Sequence, residues 1–233
     1  AGKKKAGGGA EAECRNTALK LAESGVEVEV LTTCALDLSH GWDKQHHRAG
    51  THLEDGLRVH RYPAAPVHGS RFTWLNSRLI SGEKLSRAEE EQFMSMHVSS
   101  PELLRGLAEK CGGYDWICLI PYLFGTTCYA SMICPDRSVL IPCLHDEGYA
   151  RMEMVKELFS RVKKIVYNAD AEMRFASKLY GEFCRERGIV MGIGIESEFD
   201  SNAERFRENH KINDPFILYA GRKDSTKNVH ALV

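Results

Sequence analysis

Four polar stations along the chain hold residue types that could do chemistry. The first is Gly7-Gly8-Gly9-Ala10-Glu11, a glycine-rich turn that opens a helix and offers backbone N–H groups to an anion. Gly7-x-Gly9-x-x-Ala12 also fits a dinucleotide fingerprint, which needs an acid closing the next strand to hold the ribose hydroxyls. That strand ends in Thr32 and Thr33, so the nicotinamide reading fails and an anion-binding turn remains, with a flexible tail as the alternative. The second station is His145-Asp146-Glu147, directly behind the apolar run SVLIPCL. In a doubly wound sheet ligands bind at the carboxyl ends of the strands, so this cluster could hydrogen-bond hydroxyls or handle charge. A solvated loop with incidental polar residues is its alternative. The third is Asn168, Asp170 and Glu172 behind KIVYNA, where Asn168 or Asp170 is expected to cap the following helix and a ligand role is the other reading. The fourth is Arg222 and Lys227, one ending the apolar run FILYAG and one opening a helical TKNVHALV, a pair suited to clamp a diphosphate or to sit solvated.

Composition narrows the classes. The 31 basic and 32 acidic side chains leave a net charge of −1, so there is no global field for nucleic acid or a membrane surface. Apolar stretches such as VLIPCL are far too short to cross a bilayer, and AGKKKAGGG lacks the apolar region of a signal peptide. Cys14, Cys34, Cys111, Cys118, Cys128, Cys134, Cys143 and Cys184 form no C-x-x-C pair. They are expected to be small buried hydrophobes in a reducing compartment, with neither zinc nor a disulfide framework. His40, His46, His47, His60, His68, His97, His210 and His230 show no metal-ligand spacing and are expected on the surface or in loops.

The elements that must position these residues follow from apolar patterning. Strand-length runs occur at 26–33, 57–64, 116–122, 138–144, 164–169, 188–195 and 216–221, with helical periodicity at 12–25, 101–112, 152–162 and 171–181. Continuous, non-alternating strands between helices predict an α/β domain with a doubly wound, mostly parallel sheet. A first strand should precede the glycine turn, yet AGKKKA is no strand, so the innermost strand is expected to be missing. Residues 65–100 read as an insertion over the ligand-binding edge, loop-rich and then helical, with RAEEEQ as a solvated helix face. Gly192 and Gly194 are expected to allow close backbone passage as the chain leaves this domain. The expected division is a Rossmann-like domain at 1–197, a connection at 198–214 with a short helix in SNAERFRENH, and the truncated start of a second Rossmann-like domain at 215–233.

Taken together, the chain resembles the family-4 retaining glycosyltransferases, whose two facing Rossmann-like domains make the B-type fold. GGGAE with the following helix and VEVEVLTT, DGLRVHRYP, IPCLHDE, IVYNADAE, GIGIE and YAGRKDSTKN carry the resemblance in order. It implies transfer of a hexosyl group from a nucleoside-diphosphate sugar to an acceptor hydroxyl. Gly8 and Gly9 would face the donor diphosphate, His145 would contact the donor sugar near its anomeric carbon, and Arg222 and Lys227 would neutralise the leaving diphosphate without a metal. Glu11, Asp146, Glu147 and Asn168 are the accompanying candidates for sugar or acceptor contacts, and no protein nucleophile is implied. No cofactor beyond the nucleotide-sugar substrate is expected. The acceptor would be a glycan, a lipid-linked group or a small molecule, with no nucleic acid partner. The implied location is cytoplasmic, with peripheral association at the inner membrane face open to the full-length protein. The family's acidic pair would lie beyond Val233, so the 233-residue piece is expected to have no turnover alone. The competing readings are a nucleotide-sugar epimerase or hydrolase on the same fold, and a non-catalytic acceptor- or partner-binding module.

Overall fold

A computed structural model describes residues 8–36, 40–194, 201–221 and 228–232. The chain forms two compact units, Ala1–Gly194 and Ile195–Val233. In the first, helix α1 (Gly9–Glu23) leads into β1 (Glu29–Thr33), the hairpin β2 (Gly50–Glu54) and β3 (Leu57–Tyr62), and then α2 (Gly69–Ile80), α3 (Arg87–Met96) and α4 (Pro101–Lys110). Strand–helix alternation follows: β4 (Ile117–Leu119), α5 (Gly125–Ile133), β5 (Ser138–Leu140), α6 (Glu153–Arg161), β6 (Lys164–Tyr167), α7 (Asp170–Tyr180), α8 (Phe183–Glu186) and β7 (Gly188–Val190).

The expected α/β architecture is present, but the strands make two sheets rather than one. The first has the order β1-β3-β2, with β1 parallel and β2 antiparallel to β3. The second, β4-β5-β6-β7, is parallel throughout. The antiparallel β2 arises from a two-residue turn at Asp55-Gly56, both with positive φ (50° and 82°), the turn whose twist matches a hairpin. The first sheet is covered on both faces. Leu57 and Val59 of β3 pack with Ala18 of α1, while His60 and Tyr62 meet Lys110 and Gly106 of α4.

The main core gathers around the second sheet, where Leu140, Ile165 and Tyr167 pack with Leu75, Leu79, Phe93, Met94, Leu158 and Phe159, all at most 1% exposed. Residues 69–80, expected as loop, are helical because Leu75 and Leu79 supply an apolar face to this core. Gly148 lies under that helix so closely that a Cβ would stand 1.8 Å from the Leu79 carbonyl oxygen. The RAEEEQ run is solvated only in part. Glu90 is 1% exposed, and its carboxylate accepts the N–H groups of Glu153 and Met154 (both 2.9 Å), capping α6 from another helix.

Several expectations about single residues are corrected. Cys111 and Cys134 form a disulfide, because the packed helices α4 and α5 end with these residues' Cα atoms 6.5 Å apart. Cys118 of β4 is exposed rather than buried. His60 and His97 are 7% and 6% exposed, not surface residues. His60 bonds Thr51 through Nδ1 (2.8 Å) and pairs with Glu29 through Nε2 (3.2 Å). His97 sits in an aromatic cage of Trp42, Phe72, Phe93, Phe124 and Tyr149, with Nδ1–H donating to the Leu123 carbonyl (3.1 Å). At Gly192 and Gly194 a Cβ would meet no atom of the described residues within 4 Å, so no close passage is seen among them, and Gly192 is needed for its φ of +79°.

In the second unit the short helix expected in SNAERFRENH is α9 (Ala203–His210), capped by Asn202, whose Oδ1 accepts the Arg205 N–H at 2.7 Å. The expected strand FILYAG is irregular, with Ile217 and Leu218 exposed (83% and 66%) and no ladder partner among the described residues. Val229–Leu232 is a 3-10 turn.

Burial holds His97 neutral by lowering its pKa to about 4, below the ordinary histidine value near 6.5. Unfolded chains therefore take up a proton that folded chains refuse between these values. The His97 contribution to stability is complete above about pH 6.5 and is lost as pH drops towards 4, by roughly 3 kcal/mol. Urea unfolding across this window should show that slope, and His97→Phe should flatten it. Reducing the Cys111–Cys134 bond, which closes a separation of 23 residues, should lower stability by about 3 kcal/mol when unfolding is followed with and without dithiothreitol.

Candidate functional site

The carboxyl ends of β5 and β6 need acceptors for N–H groups that no further strand residue receives. Glu172, in the first turn of α7, supplies both: its Oε1 accepts from Leu144 N (2.6 Å) and its Oε2 from Asn168 N (2.7 Å). The carboxylate thereby ties the loop bearing His145 to the end of β6. Burial raises the Glu172 pKa against the opposing pull of these two bonds. Asn168 is freed from the capping role expected of it. Ala169 occupies the N-cap with no side-chain cap bond, and Asp170 pairs with Arg174 one turn along. The Asn168 amide instead donates from Nδ2 to Glu13 Oε2 on α1 (3.0 Å).

Cys143 completes this knot. Its φ is +52°, an uncommon conformation for a residue with a side chain, and its thiol donates to Glu13 Oε2 (3.4 Å). Burial first, and then the Glu13 carboxylate, push the Cys143 pKa well up, so the thiol stays protonated and is no nucleophile at neutral pH. Glu13 and Cys143 escaped sequence reasoning. Glu13 looks like any helix acid, and Cys143 like any cysteine in an apolar run. The available signal was Glu172, an acid in the first turn of a helix directly behind a strand.

The His145-Asp146-Glu147 cluster divides. His145 is exposed and lies within electrostatic reach of Glu172. Asp146 pairs with Arg151 (2.6 Å), and Glu147 accepts the hydroxyl of Tyr122 (2.6 Å), which is 1% exposed. Both acids thus brace the loop that carries His145. Gly8 is the N-cap of α1 and Gly9 its first residue, and the first intrahelical bond runs from Ala12 N to the Gly8 carbonyl (3.1 Å). Glu11 folds back over this end, where a Cβ on Gly8 would stand 2.6 Å from Glu11 Oε2. Arg222 and Lys227 lie outside the described residues.

The assembled set is therefore Glu13, Cys143, His145, Asn168 and Glu172, with Gly8 and Glu11 at the start of α1. Carboxylates, an amide and an imidazole at a sheet's carboxyl edge recognise hydroxyls well, and a histidine there can exchange a proton with one. A phosphate would meet acidic neighbours at this end of α1 and needs cations from elsewhere in the chain. Among the described residues no three His, Cys, Asp or Glu side chains are placed to hold a metal ion, and no helix is long and apolar enough to cross a membrane. No protein-family model matches the sequence, and no curated protein matches it.

Removing the Glu172 carboxylate strands two N–H groups at once. Glu172→Ala should cost about 2 kcal/mol in urea unfolding, and Glu172→Gln, which keeps one acceptor, about half of that. Unchanged stability in both variants would mean that water serves these groups equally well.

Proposed function

We propose that the chain is the acceptor-side part of a retaining glycosyltransferase of the B-type fold, acting on a nucleoside-diphosphate sugar and an acceptor hydroxyl. The observation that carries this reading is the knot of Glu13, Cys143, Asn168 and Glu172 beside the exposed His145. It offers hydroxyl-binding groups at the carboxyl edge of a parallel sheet and a thiol that is held protonated. In this reading His145 contacts the donor sugar, and Asn168 and Glu13 orient hydroxyls. Arg222 and Lys227 are assigned the departing diphosphate, whose developing charge is the largest one to be stabilised. Same-face attack, with the leaving phosphate taking the acceptor proton, needs no protein nucleophile.

A non-catalytic carbohydrate-binding module is the second reading. The Glu11 carboxylate over the start of α1 favours it, since that acid disfavours a phosphate there.

Sugar transfer by the full-length protein from UDP- and GDP-sugars separates the two. A donor that is used should raise the thermal midpoint, and His145→Ala should lower kcat about 100-fold or more while the midpoint shift persists. Binding of sugars without transfer from any donor would leave the module reading, and unchanged transfer by His145→Ala would remove the assigned role.

A further inference from the structure

A buried N–H without an acceptor costs about 1–3 kcal/mol, and the loop behind β1 carries one. The indole Nε1 of Trp42 is shielded from solvent and has no hydrogen-bond partner. Its ring packs edge-on against His97 (5.6 Å between ring centres, 74° between planes) and against Phe124 behind β4 (5.8 Å). His97 holds the matching acceptor. Its Nδ1–H donates to the Leu123 carbonyl, which leaves Nε2 a bare lone pair with no partner among the described residues. Two hydrogen bonds of about 2.9 Å that meet at one oxygen span about 4.7 Å, within reach of rings set 5.6 Å apart.

Both rings are held in place by backbone bonds of their own segments. The Cys34 carbonyl, one residue past β1, accepts the N–H groups of His46 (2.8 Å) and His47 (2.9 Å). The Gln45 side chain pairs with both backbone groups of Ala64 behind β3 (2.9 and 3.0 Å). These bonds pin the loop that carries Trp42. The His97 carbonyl accepts from Gly125 N at the start of α5 (2.7 Å). That approach requires glycine, since a Cβ there would stand 2.1 Å from the Met94 carbonyl oxygen. Donor and acceptor are thus preorganised by a supporting shell.

We propose that Trp42 and His97 form a second binding subsite, which takes one hydroxyl of a neutral pyranose between the indole N–H and the imidazole Nε2. A hydroxyl is the complement of one donor and one acceptor, because it accepts and donates at a single oxygen. The rings select the rest of the ligand. Aromatic faces are electronegative and attract the polarised C–H groups of a sugar's apolar face. A charged ligand is disfavoured, since burial keeps His97 neutral and its neighbouring rings Trp42, Phe72, Phe93 and Phe124 carry no charge to pair with. Trp42 and Phe124 are half-buried, and entry displaces the indole ring while its pinned loop stays in place. The subsite lies behind β1 and β4, apart from the Glu172 knot behind β5 and β6. Its further role rests on the transferase reading: it holds the acceptor, which is then a neutral glycoside rather than an anionic or lipid-phosphate group.

Indole N–H signals in a proton–nitrogen NMR titration of the full-length protein test the subsite. The probes are the methyl α-pyranosides of glucose, mannose and galactose, with inorganic phosphate as the anionic arm. Trp42→Phe identifies the Trp42 signal, and those of the exposed Trp74 and Trp116 serve as controls. At least one pyranoside should move the Trp42 signal saturably while the controls and the phosphate arm stay unchanged. His97→Phe, which keeps a ring but removes the acceptor, should weaken that binding about tenfold. A Trp42 signal unmoved by all three pyranosides, one moved by phosphate instead, or unchanged affinity in His97→Phe would overturn the proposal. Cross-relaxation of this N–H with water and no response to sugar would assign the donor to an internal water, which also overturns it. The outcome is separate from that of the transferase reading. A Trp42 response without transfer from any donor keeps the subsite and removes the transferase, whereas transfer with a silent Trp42 does the reverse.

Discussion

A backbone N–H that leaves a sheet without a partner must find an acceptor, and at the ends of β5 and β6 that acceptor is one carboxylate. Glu172 fixes Leu144, and through it the path of the chain from Cys143 to His145. It also fixes Asn168, whose side chain is then directed to Glu13 on α1. Three elements far apart in sequence are locked at one point by side-chain carboxylates rather than by strand pairing. The exposed imidazole of His145 inherits its position from that lock, with the Glu147–Tyr122 bond steadying the other side of its loop.

The arrangement also sets what the site can bind. Its described groups are acids, an amide, an imidazole and a protonated thiol, which suits neutral, hydroxyl-rich ligands. Phosphate charge requires cations, and the chain's candidates for that task, Arg222 and Lys227, belong to the sequence beyond the first unit.

Much of this frame was legible in the sequence where burial dictates residue type. The runs at β5 and β6 are apolar because their Leu140, Ile165 and Tyr167 are buried, and α6 and α7 show their faces in Leu158, Phe159 and Ala176. What was hidden depends on partners remote in sequence. Glu90 reads as a solvated helix acid until α6 places two N–H groups against it. Asn168 reads as a helix cap because nothing local announces Glu13, 155 residues away. Residues 216–221 have strand composition, yet they find no ladder partner among the described residues.

The central proposal is that the residues at the carboxyl ends of β5 and β6 bind the sugar. Its most direct test is an NMR titration of the full-length protein with UDP- and GDP-sugars, following backbone amides. The account predicts the largest shift changes at Leu144, His145, Asn168 and the first turn of α1, and loss of the Asn168 response in Glu13→Gln. Shifts confined to other surfaces, with these amides silent at saturation, would contradict it.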